Sequence, residues 1–177
     1  MPDFKYLEGP IEKLNHLGED EALAALLACC GSARWAREVA ALRPFWDVGQ
    51  LLRIGGRVWR EIEREDWLEA FNAHPRIGDR KPATTAPEEA RRWSEGEQER
   101  ARTASSDTLD ELARGNREYE ERFGFIYIVC ATGRTAEEML ALLRERLGND
   151  PETELRVAAR EQWRITELRL KKFLNVK

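Results

Sequence analysis

The chain has 177 residues, of which 42% are hydrophobic and 35% charged, and its formal net charge is −4. That length suits one domain with a core of its own, and the composition excludes a disordered chain. The acidic balance argues against nucleic acid as a partner, because a general binder needs excess Lys and Arg to neutralise phosphates.

From the N-terminus, Asp3, Lys5 and Glu8 interrupt any apolar run that would read as a signal peptide. Glu21 to Cys30 is rich in Ala and Leu, the best helix formers, and ends at Gly31. Ser32 then reads as the N-cap of a helix carrying Trp35, Val39 and Leu42, which must stop before Pro44. A longer helix is expected from Val48 to Ile62, with Leu51, Leu52, Val58 and Trp59 as its apolar stripe. Gly55-Gly56 in its middle marks either a close helix contact or a break. Trp67, Leu68 and Phe71 extend helical spacing to His74-Pro75.

Residues 78–87 read as a loop, polar and with two prolines, followed by a charged helix from Glu88 to Arg102. Asp107 is expected to cap the next helix, where Leu109, Leu112, Asn116, Tyr119 and Phe123 recur at helical spacing. Phe125 to Ala131 is continuous, apolar and β-branched, yet no second segment offers it a partner strand. It is therefore expected as a short extended stretch threading between helices. Thr135 to Glu138 forms a capping box for a helix that Gly148 ends, and Asp150-Pro151 opens the last helix, reaching Phe173. The fold class is all-α: residues 1–177 as a single compact domain of about eight helices.

Three cysteines, Cys29, Cys30 and Cys130, are an odd count with two adjacent, which suits reduced thiols in a cytosolic compartment. No CxxC or HxxxH spacing points to zinc, so no metal is expected. No stretch approaches the roughly 18 apolar residues of a membrane span. A soluble cytoplasmic protein is expected, with no membrane partner.

Four features could carry chemistry. His74 stands at a helix end, whose partial negative charge favours a protonated imidazole with a pKa near the working pH. It is either a proton carrier or a cap for the last carbonyls. Ser94 and Glu97 have capping-box spacing, but no apolar run follows Gln98, so a polar substrate is the alternative reason for the cluster. Arg169 lies near the apolar side of the last helix and needs a partner, either a protein carboxylate or a planar anionic or urea-like ligand. The backbone of Tyr127 to Ala131 lacks a neighbouring strand, so a ligand with amide edges, side chains or water must pair with it.

Several stretches, in this order, resemble the 2-oxo-4-hydroxy-4-carboxy-5-ureidoimidazoline (OHCU) decarboxylase family. They include Cys29-Cys30-Gly31-Ser32-Ala33-Arg34-Trp35, Phe71-Asn72-Ala73-His74-Pro75-Arg76-Ile77-Gly78 and Ser94-Glu95-Gly96-Glu97-Gln98. Arg43-Pro44-Phe45, Asn116-Arg117-Glu118-Tyr119, Phe123 to Cys130, Arg146-Leu147-Gly148-Asn149 and Ile165 to Leu170 complete the set, which covers nearly the whole chain. The chain departs from many members in carrying Arg76-Ile77 after His-Pro.

The resemblance implies an all-α homodimer with no cofactor that makes (S)-allantoin from a small ureidoimidazoline in urate breakdown. It implies His74 and Glu97 as catalytic residues. It also implies Pro75, Ser94, Gln98, Arg169 and the segment Tyr127, Ile128, Val129, Cys130 and Ala131 as the substrate-binding set. The rival readings are a non-catalytic helical module and an enzyme of the same fold acting on a related ureido acid.

Overall fold

The computed structural model describes residues 9–77, 87–99 and 103–177. The expected loop at 78–87 therefore lies outside the described residues except for Pro87, as do Gly78, Asp3, Lys5 and Glu8. Nine helices occupy the described part and no strand is present there: α1 (Glu12–Asn15), α2 (Glu19–Cys30), α3 (Ala33–Ala41), α4 (Val48–Glu61), α5 (Arg64–Asn72), α6 (Glu88–Glu97), α7 (Ser106–Phe123), α8 (Ala136–Arg146) and α9 (Pro151–Phe173). The all-α class holds, with α1 the short element that the sequence pattern does not show.

Local chemistry sets most boundaries. Ser32, Thr135 and Asp150 each accept a hydrogen bond from the backbone N–H three residues on, satisfying donors that a helix start leaves orphaned. α2 ends in left-handed Gly31, φ 86°. A Cβ at Gly31 would also fall 2.8 Å from the Ala73 side chain, so glycine is required twice over there. Two expectations are corrected. The cap of α7 is Ser105, which accepts from Thr108 N–H, not Asp107, which lies inside the first turn. α8 ends at Arg146, before Gly148.

The long helix α9 is the spine. Leu155, Ala158, Ala159, Ile165, Leu170 and Phe173 on it are buried, and it packs against α2, α4, α5 and α7. The Gly55-Gly56 pair of α4 proves to be a close contact and not a break. The Trp163 indole of α9 lies where Cβ atoms at Gly55 and Gly56 would be, at 2.9 and 3.1 Å. Trp35 closes the same junction by donating its indole N–H to the Gly55 carbonyl at 2.9 Å.

The same buried face of α9 also carries Glu154, Glu161, Gln162, Thr166 and Arg169. Polar groups survive burial only when partnered. Glu154 is held by Arg146 Nε at 2.7 Å, by the Tyr119 hydroxyl, and by Asn149 Nδ2 at 2.8 Å. Arg146 reaches on to the Ile128 carbonyl at 2.7 Å and lies 4.8 Å from the Tyr127 ring centre. This network ties α7, α8 and α9 to the unpaired segment 125–131. Removing the cation strands Glu154 in the interior, so Arg146→Met is expected to destabilise the fold by about 3 kcal/mol. Urea unfolding followed by far-UV circular dichroism measures it; a change within about 0.5 kcal/mol, the range of ordinary surface substitutions, would remove the network from the fold's supports.

Candidate functional site

Four pieces of chain converge on one narrow pocket: the end of α5, the last turn of α6, the extended segment before α8 and the middle of α9. It is lined by His74, Pro75, Ile77, Ser94, Glu97, Gln98, Tyr127, Ile128, Val129, Ala131 and Ile165, around about 330 Å³ of atom-free space, part of it open to solvent. His74 and Glu97, 23 positions apart in sequence, thus face one cavity. Ile77 and Ile165 form apolar wall that residue chemistry alone does not single out.

α5 stops because Pro75 excludes helical geometry at His74, and His74 N–H closes the last turn on the Phe71 carbonyl at 3.1 Å. The imidazole then turns into the pocket. The residue keeps some exposed surface, but Nε2 is sealed and makes no hydrogen bond of normal geometry. Burial, reinforced by the positive charge of Arg169, pulls the His74 pKa from its ordinary 6.5 to about 3. The expectation of a protonated imidazole titrating near neutrality is therefore corrected. The helix-end charge is outweighed by loss of water and by a nearby guanidinium, and the ring is neutral.

α6 presents Ser94 and Glu97 from its final turn, since the helix ends at Glu97 and Gln98 is its C-cap. The capping-box reading of that spacing is overturned, because the pair closes a helix and does not open one. Both side chains meet Arg169 instead. Its Nε donates to Glu97 Oε1 at 2.9 Å, and its Nη2 donates to Glu97 Oε2 at 3.0 Å and to Ser94 Oγ at 2.9 Å. The Arg169 and Glu97 side chains are only 4% and 8% exposed, so this is an interior ion pair with two parallel bonds. Arg169 has its protein carboxylate, and it sits just behind the pocket lining, with Nη1 making no hydrogen bond among the described residues.

The segment 125–131 is held along one edge. In extended chain, N–H and C=O of one residue point to the same side and those of the next to the other. Ile128 C=O accepts from Arg146, Cys130 N–H donates to Glu161 Oε2 at 2.8 Å, and Cys130 C=O accepts from Arg134 Nε at 3.1 Å. The Ile128 carbonyl and both backbone groups of Cys130 are thereby taken by side chains. Tyr127, Ile128, Val129 and Ala131 line the pocket, whereas Cys130 does not. Its backbone is spent on Glu161 and Arg134, which corrects the placement of Cys130 among ligand contacts. The thiols are no nucleophiles either: burial pushes Cys30 up to about 12 and raises Cys29 and Cys130.

Glu161 and Gln162 were missed by sequence reasoning, and Arg146 was noted only within a matching stretch, with no role. A signal for the first two was present: Glu154 and Glu161, and Gln162 and Arg169, are each seven apart and in phase with Leu155, Ala158 and Ile165. Polar residues repeating on an apolar stripe have to be partnered in the interior. Among the described residues no three His, Cys, Asp or Glu side chains group to hold a metal ion. No helix of the described part is long and apolar enough to cross a membrane.

The fold and pocket define a small all-helical protein of enzyme type, with a neutral imidazole and a buried carboxylate–guanidinium pair beside one narrow pocket. Comparison with known proteins specifies the family. The family model described as OHCU decarboxylase matches residues 15–171. A curated protein of Haloferax volcanii, 2-oxo-4-hydroxy-4-carboxy-5-ureidoimidazoline decarboxylase, is 30% identical over 90% of this chain and 93% of its own length. The uric acid degradation bifunctional protein of Arabidopsis thaliana is 41% identical over 91% of this chain, which spans only 48% of that relative. A crystal structure of OHCU decarboxylase in the presence of (S)-allantoin superposes with a TM-score of 0.75 and 38% identity, covering 86% of this chain and 98% of the other. The chain belongs to the OHCU decarboxylase family.

A neutral His74 has a stability consequence with a definite sign. The folded pKa lies below that of the unfolded imidazole, about 6.5, so the unfolded chain binds the extra proton as pH falls. Stability from this site is complete above about pH 6.5 and is lost progressively as pH drops toward 3. NMR of the ring carbons is expected to show His74 flat between about pH 5.5 and 8, on either side of the free-imidazole value of about 6.5. A His74 titration centred near pH 6.5 would refute the neutral-imidazole pocket.

Proposed function

We propose that this chain decarboxylates 2-oxo-4-hydroxy-4-carboxy-5-ureidoimidazoline to (S)-allantoin in urate degradation. Membership of the family supports the reaction. The observation that carries it to particular residues is the convergence of His74, Glu97 and the Tyr127–Ala131 edge on one pocket, with Arg169 directly behind it.

The substrate needs little from the protein in bond making. The carbon that loses carbon dioxide bears a hydroxyl and adjoins a carbon–nitrogen double bond. As the carbon–carboxylate bond breaks, its electron pair forms a new carbon–carbon double bond, and the imine nitrogen takes up a proton. The resulting enol then gives up its hydroxyl proton and gains one at the ureido-bearing carbon, so one proton enters and one carbon dioxide leaves overall. The substrate is its own electron sink.

What the pocket supplies is position and charge. Neutral His74 has a lone pair to accept a hydrogen bond from the substrate hydroxyl and draw off its proton. Glu97, fixed by Arg169, stands across the cavity to hold the same hydroxyl or the ring. Arg169 brings positive charge to an anionic substrate. The extended backbone of Tyr127, Ile128, Val129 and Ala131 along the cavity wall suits the amide edges of ring and ureido group, Pro75 and Ile77 close one side, and Ser94 and Gln98 complete the polar wall.

Freshly made substrate, from coupled urate oxidation and hydroxyisourate hydrolysis, is expected to give optically active product measurable by circular dichroism. His74→Ala is expected to lower kcat by about a hundredfold or more, the usual size of a positioned proton-transfer group. Arg169→Lys, which keeps charge but loses the fork, is expected to fall in kcat/KM while remaining folded. Wild-type rate in His74→Ala, or racemic product from the wild type, would reject the assignment.

The same proposal includes a cytoplasmic location, a single domain and a homodimer. In support of the homodimer, Trp46, 78% exposed, and Leu42, 44% exposed, are large apolar side chains left in solvent on either side of Arg43-Pro44, which a second copy would cover. Sedimentation analysis is expected to give a dimer and Trp46→Glu a monomer; a monomeric wild type removes the assembly from the proposal.

A further inference from the structure

The neighbourhood of His74 fixes more than its charge. Gln162, fully buried on α9, donates from Nε2 to the Cys30 carbonyl at 3.2 Å and to Thr166 Oγ1 at 3.3 Å. A carbonyl only accepts, so the atom facing Cys30 is the amide nitrogen. Thr166 confirms this orientation: its single hydroxyl hydrogen is given to the Gln162 backbone carbonyl at 3.1 Å, leaving its oxygen to accept from the side chain. Both hydrogens of Nε2 are thus committed, and Gln162 can offer a neighbour only its Oε1.

That Oε1 is sealed from solvent and has no partner of normal geometry, and the same is true of His74 Nε2. Among the described residues, Gln162 is the side chain whose polar group raises the proton affinity of the ring, against burial and Arg169, as an acceptor oxygen near a ring nitrogen does. Asn116 Oδ1 is also buried and unpaired, but its amide is turned to the Ile77 carbonyl from α7 and it does not engage the imidazole. An acceptor facing a ring nitrogen demands a hydrogen on that nitrogen. A neutral imidazole has only one, so its other nitrogen must carry a lone pair. His74 Nδ1 is not among the sealed atoms, and the residue lines the pocket.

We propose that Gln162 is a positioning residue that holds the His74 proton on Nε2, so that Nδ1 faces the pocket as a lone pair. The chain of control runs from the Cys30 carbonyl and Thr166 to the Gln162 amide, and from there to the ring. The Cys30 carbonyl lies in the last turn of α2, so three helix-borne groups set one tautomer. The use of Nδ1 to accept the substrate hydroxyl rests on the decarboxylase reading; the tautomer itself does not.

The test is the long-range proton–nitrogen correlation spectrum of the full chain labelled with 15N-histidine at neutral pH, His16 being identified by His16→Gln. His74 is expected as the Nε2–H tautomer. Gln162→Leu is expected to move the proton toward Nδ1 and to lower kcat by roughly a hundredfold, with KM changing far less. Gln162→Glu, which keeps an oxygen toward the ring, is expected to retain the Nε2–H form. A wild-type proton on Nδ1, or an unaltered tautomer in Gln162→Leu, overturns the proposal; if that variant does not fold, the wild-type spectrum decides. The Nε2–H tautomer in a wild type that makes no allantoin would instead refute the decarboxylase reading and leave the tautomer standing.

Discussion

The two-pronged bond between Arg169 and Glu97, extended to Ser94, is the interaction on which the pocket depends. α6 buries little of its own, only Ala90 and Ser94, so apolar packing alone anchors it weakly. Its last turn is attached to α9 by a guanidinium whose three engaged N–H groups all point at α6. Trp93 adds its ring 6.0 Å from the same cation. A buried ion pair of this kind contributes little net stability over an apolar replacement, yet its loss leaves a charge with nowhere to go. Its value here is geometric, because it sets where Glu97 can stand relative to His74.

The same guanidinium acts on His74 without touching it. Its charge and the loss of water together keep the imidazole neutral, so the group that could have been a permanent cation is an acceptor. One Arg thereby acts on two neighbours: it holds the Glu97 carboxylate on α6 by hydrogen bonds and helps keep the imidazole at the end of α5 uncharged.

The extended segment 125–131 shows how a helical fold can hold a stretch of backbone outside any helix. Arg146 and Glu161, themselves buried, take the Ile128 carbonyl and the Cys130 N–H, while Tyr127, Ile128, Val129 and Ala131 line the cavity. In a helix these groups would be paired within the helix, and in a sheet with a neighbouring strand. The Arg146–Glu154–Tyr119 network behind the segment makes its position rigid. The shape of the cavity wall therefore rests on polar interactions behind it.

Much of this was legible in the chain itself. Ser32, Thr135 and Asp150 announce helix starts, Gly31 announces an end, and the β-branched run before Cys130 announces a break from helix. These signals act over three or four residues, so no distant contact can alter them. The ordered motifs around His74, Glu97 and Arg169 likewise point to the family from sequence alone. Only the tertiary structure decided that Ser94 and Glu97 end a helix, that Arg169 pairs with Glu97, that Cys130 turns its backbone away from the pocket and that His74 is neutral. Each of those outcomes depends on burial and on charges brought from dozens of positions away, and proton affinity and partner choice are properties of the assembled interior.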